Sequence, residues 1–173
     1  PYGASKLSGE AYCSAYYHSF GINTVALRFG NVYGPMSKHK KSVISKFISN
    51  IIKGNELEVY GNGAQTRDFI YVSDLISSII LSANNNDIGG EVFQIANNTE
   101  VEINEIIQIL RKVSNNEIKV NYCEERIGDI RKIYSDTSKA RKILNWSPKF
   151  SMREGLVETF RYFNNELIRW DTF

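Results

Sequence analysis

Cysteine, histidine and proline are scarce in this chain, at two, two and three of 173 residues. Cys13 and Cys123 lie far apart without metal-ligand spacing, and His18 and His39 belong to no H-x-x-x-H or C-x-x-C pattern. No metal centre is expected. Long apolar runs are missing too: none reaches the roughly eighteen residues that a membrane-spanning helix needs, and no secretory signal pattern is present. The setting to expect is cytoplasmic and reducing, with no membrane partner. Neither sign of charge dominates, since 21 Lys and Arg against 19 Asp and Glu leave +2. The one tight basic cluster, Lys38, Lys40 and Lys41 in "MSKHKKS", reads as a solvated loop, so no nucleic-acid partner is expected. Gly61 and Gly63 lack the third glycine and the strand-to-helix setting of a dinucleotide fingerprint. A hairpin turn explains them.

What is present is a globular composition, 42% hydrophobic and 23% charged, long enough for one to two domains. Small and apolar residues recur at helical spacing from Ala4 to Phe20, and "FGIN" supplies a glycine stop. "NTVALRFG" reads as a buried strand, "NVYGPMSKHKK" as a polar loop, and Ser42 to Lys53 as a helix. Two short strands around Gly-Asn-Gly follow in "LEVYGNGAQTRDFIYV", and Ser73 reads as the cap of a helix to about Ala83. "GEVFQIAN" and "EIKVNY" are strands on either side of a helix faced by Ile103, Ile106, Ile107 and Leu110. Two more helices close the chain, near Thr137 to Leu144 and Ser151 to Asn165, the second opened by Ser151 with Glu154 three residues on. Helices alternating with short strands give an α/β order, and ligands of such folds bind in loops off the carboxyl ends of strands.

Tyr2 and Lys6 are four residues apart on the first helix and share a face. A free phenol titrates near ~10 and is a poor base at neutral pH, but a cation held beside it favours the phenolate. Such a pair can exchange a proton with a sugar or alcohol oxygen, although the spacing alone is common enough to arise by chance. The wider string "PYGASKLSGE" resembles the active-site helix of the extended short-chain dehydrogenases/reductases, the nucleotide-sugar epimerases and dehydratases. "LRFGNVYGP", "GNGAQTRDFIYVSDL", "RIGDIRKIYSD" and "LNWSPKFSMREGLVETF" resemble further segments of that family, in the family's order and over nearly the whole chain.

The resemblance implies the carboxyl-terminal part of a Rossmann-type doubly wound sheet plus a small mixed α/β substrate-binding cap. Residues 1–35 would be the tail of the NAD-binding domain, and residues 36–173 mostly cap, with returning Rossmann elements around 64–97. It implies NAD as cofactor, Tyr2 as acid/base, Lys6 on the nicotinamide ribose, and Phe29 beside them against the cofactor. On the substrate side it implies Asn31 near the diphosphate, where an amide donates to phosphate oxygen; a turn-former is the other reading of that residue. Arg67 and Arg126 would clamp the diphosphate of a UDP-sugar or related nucleotide sugar, and Asp129 would accept from ribose hydroxyls. A surface salt bridge among Arg67, Asp68, Arg126 and Asp129 is the alternative. Tyr60 and Val43 would line the base pocket, or else belong to the core. Ile133 occupies the family's sugar-gating position, where its intermediate size leaves the 2-substituent open.

Family members begin with a strand and a Gly-x-x-Gly-x-x-Gly turn that holds the cofactor pyrophosphate. That turn is missing here, as is the serine or threonine that precedes the tyrosine, so the expectation is a fragment or the downstream partner of a split gene. For the intact parent the implied activity is NAD-dependent 4-epimerisation of a nucleotide-linked hexose by transient C4 oxidation. A 4,6-dehydratase of the same family and a non-catalytic nucleotide-sugar-binding module are the alternatives. The family's usual homodimer packs through the helix of Tyr2 and Lys6, whose outer face would carry Tyr12, Tyr16 and Tyr17.

Overall fold

The computed structural model describes residues 1–170. Its elements run α1 (Tyr2–Phe20), β1 (Ala26–Phe29), β2 (Asn31–Tyr33), α2 (Val43–Ile52), β3 (Leu57–Tyr60), β4 (Thr66–Arg67), β5 (Phe69–Tyr71) and α3 (Val72–Ala83). A 3₁₀ turn at Asn86–Ile88 follows, then β6 (Val92–Ile95), β7 (Val101–Glu102), α4 (Ile103–Ser114), β8 (Val120–Cys123), α5 (Ser138–Ile143) and α6 (Met152–Trp170). None of the described helices is long and apolar enough to cross a membrane.

Apolar spacing explains the inner helices. Ile44, Phe47, Ile48 and Ile51 form one stripe of α2, and Ile103, Ile106, Ile107 and Leu110 one stripe of α4; all eight are buried. α1 differs, because none of its residues is buried. It stops at Gly21, whose φ of 67° is left-handed and whose N–H returns to the Tyr17 carbonyl. Glu10 holds α1 to β1 by taking both the Nε and the Nη2 of Arg28 at 2.7 and 2.6 Å. Tyr17 packs onto Gly89 and Gly90, where added Cβ atoms would collide with its ring. Tyr17 is therefore inward, and only Tyr12 and Tyr16 of the expected aromatic trio are exposed.

Three strand pairs are parallel, β1 with β6, β2 with β5 and β3 with β8, and β4 pairs antiparallel with β7. Several local expectations give way to this pairing. Residues 31–33 are a strand, not loop, because β5 supplies a partner. The Gly61-Asn62-Gly63 turn does not close a hairpin: β3 and β4 take different partners, β8 and β7. Tyr71, not Ser73, holds the N-cap position of α3, and Ser73 lies inside the first turn. The capping box at α6 forms, with Glu154 Oε2 accepting from the Ser151 N–H at 2.9 Å and from its hydroxyl at 2.7 Å.

The β2–β5 pair separates two apolar cores. Side chains alternate along a strand, so Phe69 and Tyr71 join Tyr33 against α2, α4 and α6, while Ile70 and Val32 face β1, β6, α5 and Trp146. Asp74 of α3 ties in the chain before α6: its buried carboxylate accepts from the Lys149 and Phe150 N–H groups at 3.0 and 3.1 Å. Trp146 Nε1 donates to the Asp74 carbonyl and the Ser77 hydroxyl.

Candidate functional site

A cavity of about 330 Å³ opens where β2, α2, β3, β4 and the chain after β8 meet. Asn31, Val43, Tyr60, Arg67, Arg126 and Asp129 all line it. They come from segments up to about a hundred residues apart, and the strand pairing brings them together.

Asn31 is fixed through its backbone, whose N–H meets the Asp68 carbonyl at 2.8 Å. Its side-chain amide points to the same carbonyl more loosely, at 3.4 Å. It is thus a strand residue, not a turn-former. Asp68 leaves the expected surface network, because its side chain is fully buried under the backbone N–H groups of Asn97 and Asn98 at 2.9 and 3.1 Å. Burial pushes its carboxyl above the usual range, and those N–H groups pull it partly back.

Arg67 forms the ion pair of that network with Asp129, Nη2 to Oδ1 at 2.7 Å. Its Nη1 donates to the carbonyls of Thr66 at 2.8 Å and Ile130 at 2.6 Å. The guanidinium therefore straps the 126–131 loop to β4. Its Nε–H and one Nη2–H have no protein acceptor among the described residues. Arg126 does not join the pair; its guanidinium carbon sits 3.6 Å from the centroid of the Tyr60 ring. No described residue accepts from its N–H groups, so the fork stays available to an anion.

The turn that carries Tyr60 is held from α4. Gly61 and Gly63 adopt φ of 76° and 77°, a conformation that favours glycine. Asn104 donates from its side chain to the Asn62 carbonyl at 2.9 Å and from its backbone to the Gly63 carbonyl at 3.0 Å. Gln65 Nε2 donates to the Tyr60 carbonyl at 2.9 Å, which fixes the start of the turn. Val43, at the first position of α2, lines the cavity and also packs on the core.

Lys41, Lys46, Asn50 and Glu58 also line the cavity and were not among the expected site residues. Two periodicities carry the signal for three of them: Glu58 shares a strand face with Tyr60, and Lys46 and Asn50 are four apart on α2; Lys41 lies before the helix and carries none.

Tyr2, Lys6, Phe29 and Ile133 lie outside the cavity lining. Lys6 Nζ is 5.3 Å from the Tyr2 ring centroid on the open face of α1, where Tyr2 is 76% exposed. Phe29, at the carboxyl end of β1, is half exposed. The neighbouring phenol and ammonium, both open to solvent, have the hydrogen-bonding chemistry that ribose hydroxyls require. The backbone N–H of Ile133 bonds to the Thr66 carbonyl at 3.3 Å, and the side chain stays out of the cavity lining.

Residues 1–159 match the family model described as GDP-mannose 4,6 dehydratase. A UDP-glucuronate 4-epimerase of Thermodesulfobacterium geofontis is 33% identical over 98% of this chain and 52% of its own length. The UDP-glucose 4-epimerase of Thermotoga maritima, solved with UDP-glucose, superimposes with a TM-score of 0.90 at 32% identity, over 96% of this chain and 54% of that one. The UDP-N-acetylglucosamine 4-epimerase of Methanobrevibacter ruminantium, solved with UDP-N-acetylmuramic acid, gives 0.90 at 37% identity, over 96% and 54%. The chain spans about half the length of the curated relatives it matches.

Proposed function

Because the chain belongs to the GDP-mannose 4,6-dehydratase family of Rossmann-type extended short-chain dehydrogenases/reductases, we propose that its cavity holds the nucleoside diphosphate of a nucleotide-linked hexose. The whole protein then inverts that hexose at C4 by transient oxidation with NAD. The observation that carries this reading is the convergence of Asn31, Val43, Tyr60, Arg67, Arg126 and Asp129 on one cavity holding two guanidinium groups. The UDP-sugar epimerases among the relatives support uridine as the nucleoside.

Each residue has a distinct task. Arg67, already oriented by Asp129 and two carbonyls, offers a preset edge to one phosphate, so little order is lost on binding. Arg126 offers its open fork to the other, and Tyr60 gives the base a flat wall. The second carboxylate oxygen of Asp129 accepts from ribose, and Asn31 donates toward the diphosphate. NAD, when bound, supplies the hydride chemistry. Lys6 would hold its ribose hydroxyls and Phe29 would lie on the cofactor side, while Tyr2 would take and return the proton at the sugar O4.

Residues 1–35 belong on this reading to the NAD-binding domain, joined by returning elements within 64–97, and residues 36–173 otherwise form the substrate cap. The pairing of β1 with β6 and β2 with β5 supports that division. The exposed Tyr12 and Tyr16 on α1 support a homodimer of the whole protein through that helix.

Tyr2→Phe in the whole protein tests the assignment. Turnover of a UDP-hexose should fall by at least about 100-fold with nucleotide-sugar affinity kept, as loss of a general acid/base does. Undiminished turnover would remove Tyr2 from the chemistry. Affinity without turnover in the unsubstituted protein would leave only a binding module.

A further inference from the structure

We propose that Lys46 and Glu58 read the edge of the nucleobase and select a keto base, uracil, thymine or guanine, over cytosine or adenine. This rests on the reading of the cavity as a nucleoside diphosphate site. Along β3, Glu58, Val59 and Tyr60 all line the cavity; Leu57 and Val59 are buried in the core, so the side chains of Glu58 and Tyr60 share the other, more open face. On α2, Lys46 and Asn50 line the cavity beside Ile44 and Phe47 of the buried stripe, so the cavity is apolar at its base and polar at its rim.

Lys46 Nζ lies 4.0 Å from Glu58 Oε2, the longest of the ion pairs among the described residues, and both side chains are about half exposed. An exposed pair at that separation adds little to stability. It does set an ammonium donor beside a carboxylate acceptor, with room for a third group to bridge them. Glu58 and Tyr60 are two residues apart, about 7 Å along a strand. That is close to the distance from a stacking wall to the hydrogen-bonding edge of a base lying on it.

The chemistry of the pair sets the preference. Uracil, thymine and guanine carry a ring N–H next to a carbonyl, so Glu58 accepts from the N–H while Lys46 donates to the carbonyl oxygen. Cytosine and adenine present a bare ring nitrogen where that N–H would be, and a carboxylate repels its lone pair. On that reading the ribose and diphosphate would be held at the other end by Arg67, Arg126 and Asp129, so cytosine, whose amino group and ring nitrogen reverse the donor and acceptor of uracil, would be matched only if Lys46 and Glu58 exchanged positions.

Titration calorimetry of the whole protein with UDP and with CDP tests this, since the two differ only at the base edge. The unsubstituted chain should prefer UDP by about tenfold, the factor that one net charge-assisted hydrogen bond supplies. Glu58→Ala should collapse the preference by weakening UDP and sparing CDP, whereas Glu58→Gln keeps a carbonyl acceptor and should retain part of it. Lys46→Met should weaken UDP more than CDP. Unchanged UDP:CDP ratios in Glu58→Ala and Lys46→Met, each melting as the parent does, overturn the inference. So does equal affinity of the parent for both nucleotides, which leaves the cavity a nucleotide site. Failure of the parent to bind either nucleotide removes the nucleotide reading itself, and this inference with it.

Discussion

Gly155 shows how little tolerance the core has at single positions. A Cβ there would collide with the hydroxyl of Tyr33, whose ring is wedged against Phe69 and Tyr71 and cannot swing away. Burial already holds that hydroxyl above the usual phenol range. Glycine to alanine inside a helix ordinarily stabilises by roughly 1 kcal/mol. Here Gly155→Ala should instead cost about 1–3 kcal/mol, as overpacking does, and thermal melting measures it. Removing the offending oxygen with Tyr33→Phe in the same chain should recover part of the loss; a strictly additive double mutant would show that the two residues are not in conflict.

At the scale of elements, the start of α6 carries a pH dependence. The Glu154 carboxyl lies below its ordinary value of 4.5, held first by the Ser151 hydroxyl and then by the Ser151 N–H. A lowered value in the folded state means stability that is present above the unfolded pKa and lost as pH falls through the folded one. Ser151→Ala should therefore trail the parent fully near pH 7, with the gap narrowing below about pH 4.5, in denaturant unfolding run across that window. A gap independent of pH would place the Ser151 contribution elsewhere. This capping box was legible in the sequence because both partners lie within one turn. The helical face of α4 was legible for a similar reason, since its apolar residues repeat within neighbouring turns. The Gly-Asn-Gly turn misled because it is a strong local hairpin signal, while the true partner of β3 is a strand about sixty residues later. Asn31–Tyr33 passed for loop because three residues show no period until β5 lies beside them. Within the cavity, the motif strings pointed to the arginines; Arg126 stacked on Tyr60 and Arg67 strapped by carbonyls depend on tertiary placement that no spacing records.

For the whole molecule, stability is unevenly spread. α4 places Ile106 and Leu110 at full burial, whereas α1 buries nothing and leaves Tyr2, Leu7, Tyr12 and Phe20 mostly in solvent. Amide hydrogen exchange should run at least about 100-fold faster in α1 than in α4, since local opening there exposes no core. Equal protection would mean that something covers α1 in solution. The parallel pairing also has a consequence for how the chain is made. β2 meets β5 within about forty residues, β1 must wait for β6, and β3 waits for β8. At a synthesis rate of roughly 5–20 residues per second, β3 spends some 3–12 seconds on the ribosome before its neighbour exists. The wall between the two cores thus has the means to close first, as a template on which each core is completed in turn while translation proceeds.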